Sequence, residues 1–253
     1  MSRVIAVANQ KGGVGKTTTT INLSASLAEA GKHVLVIDMD PQGNTSSGLA
    51  VNKDRIEKGI YEVLIGFHTA EEAMIREQLP NLDILPANVS LSGAEVELIS
   101  MEDNSYRLRE AIESVRNQYD FVLIDCPPSL SLLTVNSLTA ADTVLVPIQC
   151  EYYALEGLSQ LMRTIDLIRE RLNGGLEIEG IVFTMYDGRT RLSEQVVENV
   201  RANIDVKIYE TLIPRNVRLA EAPSYGLPIN IYDSRSTGAQ SYRALAQEVI
   251  QNR

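Results

Sequence analysis

A doubly wound α/β fold, a single domain over residues 1–253 with a mostly parallel twisted sheet and helices on both faces, is what this sequence predicts. Three observations lead there. Short β-branched runs, most of them continuously apolar, recur along the chain. Longer segments with helical spacing separate many of them, and the first run passes through a glycine-rich turn directly into such a segment. Apolarity without alternation marks strands covered on both faces, as in a parallel sheet with helices above and below.

Taken in order, the first strand is "VIAVAN" from Val4, ending at the glycine turn. A helix over Thr17 to Ala30 follows, apolar at Ile21, Leu23, Leu27 and Ala28 and closed by Gly31. Further strands are "HVLVID" from His33, "LDILPA" from Leu82, "FVLID" from Phe121 and "TVLVPIQ" from Thr143. A second long helix spans Leu155 to Leu172, and "EGIVFTM" from Glu179 and "KIYETLIP" from Lys207 complete the strands. The last segment, "AQSYRALAQEVIQNR", sets Tyr242, Leu245, Ala246, Val249 and Ile250 on one helical stripe. It ends without a lysine-rich tail, so the stripe reads as core packing and no membrane contact is expected.

Composition narrows the class. Hydrophobic residues at 44% and charged residues at 22% are ordinary for a globular protein, without low-complexity linkers or internal repeats. The N-terminus lacks signal-peptide character and no apolar run approaches membrane-spanning length, which points to a cytoplasmic protein. Cys126 and Cys150 are too few for a disulfide framework and read as buried free thiols. The net charge of −10 argues against a globally basic nucleic-acid binder. It is uneven, however: residues 181–253 carry 9 Lys and Arg against 8 Asp and Glu, leaving 14 against 25 for the remainder.

The chemistry concentrates at strand ends. "NQKGGVGKTTTT" from Asn9 contains Gly12, Gly13, Val14, Gly15, Lys16, Thr17 and Thr18, a phosphate-binding loop of P-loop NTPase type in its required strand-to-helix setting. Its backbone N–H groups and the helix N-terminus suit a polyphosphate, Lys16 reaches the β- and γ-oxygens, and the Thr17 hydroxyl is placed to ligate Mg²⁺. Asp125 at the tip of "FVLID" reads as a second metal-side carboxylate acting through water. "VIDMDPQGN" offers Asp38 and Asp40 on one face of an extended segment. Asp40 is the better placed to orient or deprotonate the attacking water, while Asp38 fixes the loop or the metal's water shell. Gln10 stands where a plain loop has its first glycine, and the second lysine, Lys11, has no obvious task on one bound nucleotide. Arg189 and Arg191 in "DGRTRL" and Arg215 and Arg218 in "IPRNVRL" are spaced loop cations that could line one face.

Together K-G-G-V-G-K-T, D-M-D-P-Q-G-N, D-C-P-P-S, "PIQCEYYALEGLSQL" and "IPRNVRLAEAPSYGLPI" resemble the ParA/Soj branch of the deviant-Walker-A ATPases, over nearly the whole chain. The resemblance implies ATP and Mg²⁺ as ligands and a catalytic set of Lys11, Lys16 and Asp40. Lys11 would be the signature lysine that crosses to the nucleotide of the other subunit in an ATP-bound sandwich homodimer. It further implies that Pro214 and Asn216 lie beside adenine and that Arg189 and Arg218 contact non-specific double-stranded DNA. A ParB-like centromere-binding partner would stimulate slow hydrolysis in chromosome or plasmid segregation, with the protein nucleoid-associated. Two other classes share the loop: MinD-like membrane-positioning ATPases, and metabolic enzymes that pass γ-phosphate to a small molecule. An iron–sulfur reductase also shares it, but neither Cys126 nor Cys150 has the surroundings that such a cluster needs.

Overall fold

A computed structural model describes residues 2–151 and 154–252. Met1, Arg253 and, from the "PIQCEYYALEGLSQL" motif, Tyr152 and Tyr153 therefore lie outside the described residues. The strands are β1 Arg3–Val7, β2 Val34–Asp38, β3 Ile75–Leu79, β4 Leu82–Leu85, β5 Phe121–Asp125, β6 Thr143–Gln149, β7 Glu177–Tyr186 and β8 Ile208–Pro214. They form one sheet in the order β3-β4-β2-β5-β1-β6-β7-β8, parallel throughout except for the antiparallel β3–β4 edge. Every strand read from the sequence is present. The additional one, β3, reads "IREQL", with exposed polar residues and no apolar run to betray it.

The helices that matter for function are α1 Lys16–Glu29, α2 Asn44–Gly48, α3 Ala154–Arg171, α4 Arg191–Asn203, α5 Val217–Glu221 and α6 Thr237–Gln251. Strand pleating sorts β1 and the residue after it between two cores: Val4, Ala6 and Ala8 enter one, Ile5 and Val7 the other. The first core continues into α3 through Leu158, Leu161 and Ile165, and the second into α1 and α6 through Leu23, Leu27, Tyr242 and Leu245. The expected C-terminal stripe thus packs inside, with Ile250 only partly covered. Removing one such leucine side chain costs about 2–5 kcal/mol, so this double burial fixes the sheet under the site.

β1 sits between β5 and β6, where chain direction through the sheet reverses and ligands of doubly wound folds gather. Register completes the arrangement, because Val7 pairs with Asp125 and Asp125 with Asp38. The carboxyl ends of β1, β5 and β2 are therefore level.

Candidate functional site

After β1 the chain is pinned by short polar contacts before it reaches the glycines. Asn9 donates through Nδ2 to the Pro147 carbonyl at 2.8 Å and accepts the Lys11 N–H at 3.0 Å. Gln10 donates to Thr164 Oγ1 of α3 at 2.8 Å, which explains a glutamine at the position of the usual glycine: its side chain anchors the loop. The left-handed backbone falls instead at Gly13 (φ 75°) and Gly15 (φ 88°), where a side chain would strain the turn. Lys16 lies 7% exposed, with Nζ donating to the Lys11 carbonyl at 3.2 Å. Burial pushes its pKa down against the pull of Asp125. An ammonium desolvated in this way and lacking a salt-bridged carboxylate among the described residues suits a bound polyanion.

Asp125 is fully buried and accepts from three hydroxyls: Thr17 Oγ1 at 2.8 Å, Thr45 Oγ1 at 2.6 Å and Thr20 Oγ1 at 3.3 Å. Asp38 is equally buried and accepts from the Ser46 N–H at 2.8 Å, the Ser46 hydroxyl at 2.7 Å and the Asp40 N–H at 3.2 Å. Burial raises the pKa of both carboxyls, and repulsion from Asp125 raises that of Asp38 further. Of the two tasks expected of Asp38, its hydrogen bonds match loop fixing: it ties α2 to the end of β2. Asp40, itself buried, borders the cleft, with Oδ1 held by the Gln42 N–H at 2.9 Å. The two aspartates, expected on one face, thus have separate surroundings because Ser46 draws Asp38 inward.

Two adjoining spaces receive these groups. A cleft of about 360 Å³ is bordered by Gly12, Gly13, Lys16, Thr17, Asp40 and Pro128 among others. A second cavity of about 300 Å³ is lined by residues including Pro214, Asn216, Leu219 and Tyr242. Asn216 caps α5 through Oδ1, accepting the Arg218 N–H at 2.8 Å, and donates to Thr237 Oγ1 at 2.8 Å. The first space is the more polar of the two, with the Lys16 cation on its wall, and the second is largely apolar, which matches a triphosphate joined to a base. Thr17 and Asp125, already hydrogen-bonded to each other, form the donor set a Mg²⁺ ion would use together with phosphate and water.

Not every expected residue enters these spaces. Lys11 pairs with Glu151 of its own chain at the end of β6, a half-exposed ion pair outside the cleft lining. Val14 is buried, and its role is a carbonyl that accepts from Thr184 Oγ1 at 2.8 Å. Arg189, 88% exposed, is bound to Asp187 at 2.7 Å, while Arg218, 56% exposed, holds Glu221 at 3.0 Å and Asp233 at 3.6 Å. Arg191 begins α4, and Arg215 is exposed and borders the base cavity. Thr20, Thr45, Ser46, Glu151 and Thr184 were not legible as site residues. The nearest signal is that buried carboxylates at strand tips demand hydroxyl partners, and "GNTSS" from Gly43, shortly after Asp40, supplies two of them in Thr45 and Ser46.

Fold and site define a P-loop nucleotide protein, and a family model described as an AAA domain matches residues 2–178. The chromosome partitioning protein ParA of Caulobacter vibrioides is 55% identical over 250 residues, covering 98% of this chain and 94% of that protein. The sporulation initiation inhibitor protein Soj of Bacillus subtilis is 52% identical over 252 residues, covering 100% of both. Among solved structures, cobyrinic acid a,c-diamide synthase from Mycobacterium smegmatis with bound ATP analogue and magnesium has a TM-score of 0.87 at 37% identity, covering 99% of this chain and 95% of that one. The chain belongs to the ParA/Soj family of partitioning ATPases.

Proposed function

We propose that the protein binds and hydrolyses ATP with Mg²⁺ and uses the nucleotide state to set its oligomeric state. The ATP-bound homodimer binds DNA without sequence preference and works with a ParB-like partner, which stimulates hydrolysis, in chromosome or plasmid segregation. Lys16 serves the chain's own triphosphate, Thr17 and Asp125 hold Mg²⁺ (the latter through water), and Asp40 orients the attacking water. The carrying observation is the unequal placement of the two loop lysines: Lys16 borders the cleft, whereas Lys11 stands outside its lining on Glu151. An ammonium free to exchange a surface carboxylate for a partner's γ-phosphate makes ATP bind the dimer better than the monomer, and that differential affinity is what couples the two states.

DNA contact follows from the same geometry of exchange. Arg189 and Arg218 are exposed and already engaged to carboxylates that DNA phosphates would displace, with Arg191 and Arg215 close by in sequence. If each subunit neutralises about two phosphates, the dimer's salt slope is about −4 and the monomer's about half that, which makes binding cooperative with dimerisation. The acidic remainder of the surface disfavours other faces and suits a basic partner segment. Cytoplasmic, nucleoid-associated localisation follows if this holds; among the described residues no helix is long and apolar enough to cross a membrane.

Size-exclusion chromatography with light scattering tests the reading, using no nucleotide, ADP or ATP, with and without duplex DNA. The wild type dimerises with ATP and the dimer carries DNA. Lys11→Ala retains monomeric nucleotide binding and loses the ATP dimer; a Lys11→Ala dimer of normal affinity refutes the trans assignment. The alternative of phosphoryl transfer to a small molecule has support in the Mycobacterium smegmatis synthase, at 37% identity against 52–55% for the partitioning relatives. It predicts an organic product labelled from γ-phosphate.

A further inference from the structure

Two consecutive residues at the end of β7, Thr184 and Met185, both border the nucleotide spaces, which a regular strand does not permit. Neighbouring side chains on a strand face opposite sides of the sheet. The backbone here departs from that rule. Phe183 pairs with Leu212 and Tyr186 with Pro214, so β7 spends three steps where β8 spends two, and the extra residue makes a bulge. Within it Met185 adopts φ 50°, in the left-handed region that a non-glycine residue rarely occupies and that costs free energy to hold. The gain is positional. Thr184 Oγ1 donates to the Val14 carbonyl inside the glycine loop at 2.8 Å, and its Cγ2 lies 3.6 Å from where a Cβ on Gly15 would stand. Met185 meanwhile lines both the base cavity and the phosphate cleft, as do Gly15 and Thr18.

We infer that Met185 is a positioning residue for the adenine nucleotide, an apolar wall set where the two spaces meet and aimed there by the strained bulge. An unbranched, polarisable thioether suits such an irregular junction. The inference rests on nucleotide occupying both spaces and on nothing about dimers or DNA, so it is tested with ADP as well as ATP.

Fluorescent ADP and ATP analogues are titrated against wild type, Met185→Gly and Met185→Leu, and thermal unfolding is followed without nucleotide. Glycine accepts φ 50° without strain but removes the wall. Its affinity for both nucleotides should fall about tenfold or more, as expected when a ligand pocket is stripped of one apolar side chain, while the nucleotide-free Tm is held or raised. Leucine keeps the wall and stays within about twofold of wild type. Unchanged affinity in Met185→Gly, or an affinity that falls in step with a lowered Tm, overturns the inference and leaves the residue a structural one. Failure of the wild type to bind either analogue would instead refute the nucleotide site itself.

Discussion

The base of the nucleotide cleft and its rim solve opposite problems with the same residue types. At the base, Lys16, Asp125 and Asp38 are buried, and each is hydrogen-bonded by groups that folding brings there: the Lys11 carbonyl, the hydroxyls of Thr17, Thr20, Thr45 and Ser46, and backbone N–H groups. At the rim, Lys11, Arg189 and Arg218 are more than a third exposed and rest on acidic side chains of their own chain, Glu151, Asp187, Glu221 and Asp233. Buried charges cannot lose a partner cheaply, whereas exposed pairs are worth about 0–1 kcal/mol and are easily traded. The base is therefore made by folding and the rim is available for exchange. A switch that must hold its nucleotide yet change partners has use for both.

Lys16→Ala breaks the base and carries the largest expected effect. The lost ammonium makes charge-assisted contacts worth about 1.5–3 kcal/mol each, so two such contacts predict a fall in nucleotide affinity of about a hundredfold or more by calorimetry. Dimerisation and DNA binding should disappear with it. Normal ATP binding by this variant would show that the cleft is not where the triphosphate sits.

Arg218→Glu acts on the rim and should leave the base untouched. Nucleotide affinity and the ATP dimer remain, while DNA affinity falls by about an order of magnitude. The salt dependence of the remaining binding should lose about one phosphate contact per subunit, a slope change of about 2 for the dimer. Retained DNA binding with an unchanged slope would remove Arg218 from that surface. Loss of the ATP dimer in the same variant would mean that base and rim are not separable there.

The same division explains what the sequence could reveal. Glycines, apolar strand runs and strand-tip carboxylates are local patterns, so β1, the loop, Asp125 and the Asp38–Asp40 pair were legible together with the α/β class. Contacts that close the site are long-range, such as Thr45 onto Asp125 or Thr184 onto Val14, and no spacing announces them. The bulge at Met185 arises from unequal pairing of two strands, a property of neither strand alone. Edge strand β3 stayed hidden for a related reason: exposed on one side, "IREQL" has no need of the continuous apolarity that identified its neighbours.

The smallest effect is the most informative about the rim. Glu151→Gln removes the carboxylate that holds Lys11 in the single chain, without changing side-chain size. Since both partners are more than a third exposed, the pair contributes only about 0.2–1 kcal/mol. A two-fold symmetric dimer must release it twice, so the effects multiply. The ATP-dependent dimer should therefore tighten by about twofold to thirtyfold in sedimentation equilibrium, with monomer affinity for ADP unchanged. In the Lys11→Ala background the same substitution should do nothing, because the freed ammonium is then missing. A weaker dimer in Glu151→Gln would mean that Glu151 serves the closed state, and that Lys11 keeps this carboxylate when the subunits meet.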